Sequence, residues 1–67
     1  MHEDVLFAVS VQFDDEDEGR KYRGRRQYLT LAPSFEAAAD KVRNKLPSLG
    51  LTNPAVRGVD VMEDYIP

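Results

Sequence analysis

The chain has no cysteine, no tryptophan, a single histidine and no long apolar run. Without cysteine it can form neither disulfides nor thiolate metal sites, which are common supports for a small domain. Cysteine-free composition also fits a reducing compartment. The histidine is His2, beside the start of the sequence, so no imidazole is placed to serve as an internal general base. No apolar stretch approaches the roughly 18 residues that a membrane span needs. The opening Met1-His2-Glu3-Asp4 is acidic where a secretory leader carries positive charge. These absences lead to the expectation of a cytoplasmic protein with no membrane segment, no cofactor and no bound metal.

What is present fits one core. The 67 residues leave no room for a second domain, so residues 1–67 are read as a single unit. A chain of this length buries only about 60% of its unfolded surface, which predicts marginal stability. Twelve acidic and nine basic residues give a net charge of −3. That balance disfavours non-specific nucleic-acid binding, which relies on Lys and Arg to displace counterions.

Val5, Phe7, Val9, Val11 and Phe13 occupy alternate positions with Leu6, Ala8, Ser10 and Gln12 between them. This period of two, rich in β-branched and aromatic residues, predicts a half-buried strand. A charged connection follows over residues 14–26. Asp14, Asp15, Glu16, Asp17 and Glu18 form an acidic block, and Arg20, Lys21, Arg23, Arg25 and Arg26 a basic one, with Gly19, Tyr22 and Gly24 interleaved. The glycines and the run of acids argue against regular structure at its tip, although the basic block can extend a twisted hairpin. A second strand is expected over Gln27–Leu31, with Leu29 and Leu31 on one face and Tyr28 and Thr30 on the other.

Pro33 stops that strand and Ser34 is a suitable helix N-cap. Phe35, Ala38, Ala39, Val42 and Leu46 recur at helical spacing, and Pro47 ends the helix near Lys45 or Leu46. Residues 48–55 read as a loop. A third strand is expected over Val56–Met62, with Val59 and Val61 sharing a face with Arg57, and Tyr65-Ile66 docking as a tail. The predicted fold is α+β, in the order β-β-α-β. It has a three-stranded antiparallel sheet in order 2-1-3 and one helix on one face. The second face, carrying Leu6, Tyr28 and Met62 among others, is expected to be open.

That topology gathers charge. Glu3, Asp4, Glu36, Asp60, Glu63 and Asp64 fall toward one end of the sheet as an acidic pole, and the hairpin's two charge blocks lie at the opposite end. Asp14, Glu16, Glu18 and Gly19 faintly echo a calcium loop. The third and fifth positions lack the required Asp or Asn, and the twelfth is Arg25 in place of Glu, so a solvated acidic turn is the better reading. The basic block with Tyr22 has the chemistry to grip phosphate and stack on a base, but the adjacent acids oppose this and cross-strand ion pairing is the plainer account. A compact array of carboxylates imitates a phosphate backbone; the plainer account there is a solubilising surface. Ser10, Ser34 and Ser48 have no base nearby in sequence, so no catalytic set emerges.

In length, acidity and lack of catalytic groups the chain resembles small phage-encoded proteins that bind and block a host machine, anti-CRISPR proteins among them. No particular residues carry the likeness. It implies a non-enzymatic inhibitor whose acidic surface occupies a basic or nucleic-acid-binding surface of a larger protein. The alternatives are a nucleic-acid contact through the hairpin, and a homodimer joined through the open face at Leu6, Tyr28 and Met62.

Overall fold

The computed structural model describes residues 3–62. Their order is β1 (Val5–Asp17), β2 (Arg20–Ala32), α1 (Phe35–Lys45), a 3-10 turn (Leu46–Ser48) and β3 (Thr52–Val61). The sheet order is β2-β1-β3, and β1 runs antiparallel to both neighbours. This is the β-β-α-β arrangement expected from the sequence. The expected tail at Tyr65-Ile66 lies outside the described residues.

The hairpin differs from the expectation of an irregular tip. Both strands continue through the charged blocks, and Asp17 pairs with Arg20 across the two-residue turn Glu18-Gly19. Both turn residues have positive φ, 50° and 79°. That is the handedness of the tight turns whose twist matches the flanking strands. Gly19 adopts it freely, whereas an L-residue with a side chain is strained there by about 1 kcal/mol. Glu18→Asn is therefore expected to raise the melting midpoint by a few degrees, about 4 °C or more if the strain is fully relieved. An unchanged or lower midpoint in a thermal scan would remove strain from this account of the turn.

The turn fixes the register, and the register corrects the expected faces of β2. From Asp17↔Arg20 the pairing runs without a slip to Val5↔Ala32. Odd positions of β1 therefore sit opposite even positions of β2. Val9 faces Tyr28 and Phe7 faces Thr30, which brings Tyr28 and Thr30 to the helix side. Tyr28 thus does not belong to the open face. Leu29 and Leu31 do, opposite Ala8 and Leu6.

β3 also departs from expectation. It begins at Thr52, within the residues read as a loop, and its ladder has two irregular steps, one at Asn53-Pro54 between Gln12 and Asp14 of β1 and one inside the expected strand, between Ser10 and Val11 of β1. At the first, Asn53 has φ 48° and donates its side-chain amide to Asp14 Oδ2 at 3.0 Å. Pro54 follows inside the bulge, where a missing ladder donor is tolerated. The second step passes over Arg57 and pairs Val11 with Val56. Val56 thereby joins Val59 and Val61 against the core instead of lying on the face opposite them.

The core consists of Phe7, Val9, Val11, Ala32, Ala38 and Val42, sealed by partly buried Tyr28, Leu46, Leu51, Val56, Val59 and Val61. α1 lies on this face. Ser34 caps it as expected, its Oγ accepting from the Ala37 N–H at 3.1 Å. Ala38, Ala39 and Val42 are its buried stripe. Small alanines let the short helix approach the sheet closely. Phe35 at the first turn is half exposed, and its ring meets Phe7 edge-on at 5.0 Å between centroids.

Phe13 closes the core toward the hairpin. It is buried, with the Arg26 guanidinium 5.6 Å from the ring centroid and its ring above Gly24, the residue opposite on β2. Beyond it residues 14–23 are all exposed. β3 pairs no further along β1 than Thr52 opposite Asp14, so Asp15–Asp17 and Arg20–Tyr22 form a two-stranded arm. The radius of gyration is 13.7 Å and the longest extent 49 Å, against about 11 Å for the radius of a compact chain of this length.

Candidate functional site

The charged residues singled out in the sequence separate into distinct places. On the arm, the register sets Asp14 opposite Arg23, Glu16 opposite Lys21 and Asp17 opposite Arg20. Opposite charges face each other across the hairpin, yet the one ion pair within 4.0 Å among the described residues is Arg43–Asp40 on the helix. The arm's acids find other partners. Tyr22 donates its hydroxyl to Asp15 Oδ2 at 2.9 Å, and Asp15 Oδ1 also accepts from the Glu16 N–H at 2.8 Å. The cross-strand charges are therefore solvated and stabilise the hairpin only modestly.

The bond to Asp15 raises the Tyr22 phenol above its ordinary value, because ionising it removes the donor and sets a second negative charge beside the carboxylate. Asp15→Asn should lower the pH at which Tyr22 ionises, read by ultraviolet titration. A raised pKa means that the protonated phenol is the form favoured by folding. The bond persists below the ordinary phenol range and is lost as pH rises through the elevated value. An identical titration in the variant would mean that the bond is not kept in solution.

The arm's edges carry opposite signs. Where β3 stops, the free edge of β1 is Asp15, Glu16 and Asp17, and the outer edge of β2 carries Arg20, Lys21, Arg23, Arg25 and Arg26. An open concavity of about 570 Å³ fills the notch between Asp14–Glu16, Lys21–Arg23 and the Thr52-Asn53 end of β3.

The acidic pole is more dispersed. Glu3, Asp4, Glu36 and Asp60 are all exposed. Glu36 lies in the first turn of α1 on the helix side. Asp60 pairs with Ala8, which puts it on the opposite face. Glu63 and Asp64 lie outside the described residues.

The open face is graded along its length. Leu31, Leu6 and Met62 form one row across the sheet, since Leu31 is opposite Leu6 and the Met62 N–H donates to the Leu6 carbonyl at 3.0 Å. Leu29, Ala8 and Asp60 form the next, followed by Gln27, Ser10 and Gly58. Toward the arm the face becomes charged. The apolar end is open to solvent: Leu29 is 61% exposed, Leu31 54%, Met62 47% and Leu6 38%. The apolar character of Leu29 and Leu31 suggests core positions, and their place on this face follows only from the register set by the Glu18-Gly19 turn.

β2 is also an edge strand. The Leu6 carbonyl points toward β3, so Leu31 opposite it turns its peptide groups outward in the alternating antiparallel pattern. Lys41 donates its ammonium to that Leu31 carbonyl. The same alternation sends the peptide groups of Leu29, Gln27, Arg25 and Arg23 to the free side. Between this edge and α1 runs a groove of about 500 Å³ with Tyr28, Thr30, Val42 and Leu49 along it and Lys41 and Lys45 at its rim.

Two of the three serines hold structural bonds: Ser34 caps α1, and the Ser48 hydroxyl donates to the Lys45 carbonyl at 2.8 Å. Among the described residues no cluster of three or more His, Asp or Glu side chains is placed to hold a metal ion, and no helix is long and apolar enough to cross a membrane. The chain matches no protein-family model, no curated protein and no solved structure.

Proposed function

We propose that the chain is a non-enzymatic protein-binding module that seats its charged arm on a basic or mixed-charge surface of a larger protein and acts by occupying that surface. The arm carries this reading. An isolated two-stranded hairpin is at best marginal in water, and residues 14–23 are all exposed. An extension that contributes so little to the core is accounted for by a contact outside the molecule. Its split charge supplies orientation and encounter rate, the two properties that exposed charge gives an interface.

The nucleic-acid alternative is weaker on the same geometry. Arg20, Lys21 and Arg23 each have an acid directly across the hairpin, and the Tyr22 hydroxyl is engaged by Asp15. A phosphate backbone approaching the basic edge meets carboxylates one strand away.

The test exchanges the arm's polarity while keeping its cross-strand complementarity. Glu16→Lys is combined with Lys21→Glu, and Asp17→Arg with Arg20→Asp. Capture of a partner from lysate by the immobilised protein is then compared with wild type and with a Glu3→Lys, Asp4→Lys variant. We expect the exchanged arm to keep its melting midpoint and to lose the partner. Full capture by the exchanged arm together with loss in the second variant would move the contact to the acidic pole.

A further inference from the structure

We infer that the outer edge of β2 is a docking site for an extended segment of a partner protein, one that is apolar in its first half and acidic in its second. The inference rests on the reading of the chain as a protein-binding module and names the chemistry of what it binds.

Three features converge on this edge. Its backbone is unpaired: Leu29, Gln27, Arg25 and Arg23 turn their peptide groups away from β1, and a strand can add there by main-chain hydrogen bonds. Its side chains change character along its length. Near the core end, Leu29 and Leu31 lie on the open face and Tyr28 and Thr30 on the helix side; toward the arm, Arg23 and Arg25 lie on one face and Arg20 and Arg26 on the other. Beside its apolar half, the groove of about 500 Å³ between β2 and α1 gives alternate side chains of an added strand a place against Val42 and Leu49, with Lys41 and Lys45 at the rim.

Direction follows from that order. β2 runs from its basic half to its apolar half, so an antiparallel neighbour is matched when it runs from apolar to acidic. β1, which occupies the inner side of β2, has this pattern, from Val5-Leu6-Phe7 to Asp15-Glu16-Asp17. A second copy of β2 does not. Full antiparallel pairing of two β2 edges, Arg20 of one copy opposite Ala32 of the other, sets Arg26 against Arg26 at the centre and leaves Lys21 and Arg23 facing Leu31 and Leu29 with no acid opposite them, and like charges directly opposite are destabilising.

The probe is a peptide with valine and threonine alternating over its first half and glutamate and threonine over its second, titrated into the isotopically labelled protein and followed by amide resonances. We expect shifts concentrated at residues 23–31 and along Val42–Leu49, with slowed hydrogen exchange at Arg25, Gln27 and Leu29. A peptide with lysine in place of glutamate should bind about tenfold or more weakly. Gln27→Pro, which removes an outward donor at an edge position, should abolish binding of the first peptide. The exposed pair Arg25→Glu and Lys45→Glu tests the same edge without altering the backbone and should weaken it comparably. Equal binding of both peptides, shifts confined to Leu6, Ala8 and Met62, or no shift at millimolar peptide would overturn the inference. If the peptide fails while exchange of arm polarity still abolishes capture, the edge site falls and the binding-module reading stands.

Discussion

Gly24→Val is expected to destabilise the protein by about 2 kcal/mol, although valine is ordinarily a better strand residue than glycine. A Cβ at position 24 would lie 2.6 Å from Phe13 Cζ and 2.7 Å from Cε2, well inside contact distance. The Phe13 ring has little freedom to retreat, being buried and flanked by Arg26. Swinging it out exposes an aromatic ring at the end of a small core. For a chain of 67 residues, with total stability of about 3–10 kcal/mol, that loss lowers the melting midpoint by roughly 8–16 °C. The sign depends on the ring. In a Phe13→Leu background the smaller side chain leaves room, and the same substitution should cost little or even stabilise. A double-mutant cycle measures this coupling. Equal costs in both backgrounds would mean that Phe13 does not confine position 24.

The same pair shows how much of the fold was legible in the sequence. Alternation of Val5, Phe7, Val9, Val11 and Phe13 marked the central strand, and Ser34 with Pro47 bracketed the helix. These signals are local, and local periodicity determined element type, order and topology correctly. Facing was harder. Leu29 and Leu31 look like core positions because they are apolar, and Tyr28 looks like a surface residue because it carries a hydroxyl. Register overrides such preferences, since a one-residue change of pairing exchanges the two faces of a strand. The information was present in Glu18-Gly19. Once that dipeptide is taken as a two-residue turn, odd positions of β1 face even positions of β2 and Tyr28 must share a face with Val9. What hid it was the charge of the flanking blocks, which reads as loop although Arg, Lys and Asp are accommodated on a solvated hairpin.

The bulges in β3 were not legible in the same way. Asn53-Pro54 is a turn signal by composition, and only the neighbouring strand makes it a bulge, with Asn53 bonded to Asp14. The side of Val56 depends on the extra residue at Arg57, which no period-of-two count includes. Candidate surfaces followed the same division. The charge blocks were visible as sequence, whereas the opposite signs of the arm's two edges and the groove beside β2 come from pairing and from the placement of α1.

If the arm exists for contact, stability and binding should separate when it is cut back. Replacing Glu16–Lys21 by an Asn-Gly turn joins Asp15 to Tyr22, which are already paired and, like Asp17 and Arg20, turn their peptide groups toward each other, and preserves the register with a preferred two-residue connection. The removed residues are all exposed and lie beyond Phe13, so the core is untouched. We expect a melting midpoint within a few degrees of wild type, because substitutions away from buried features change stability by about 0.5 kcal/mol or less, and loss of partner capture from lysate. A shortened protein that melts as before and still retains its partner at full affinity would contradict the assignment of the arm as the contact surface.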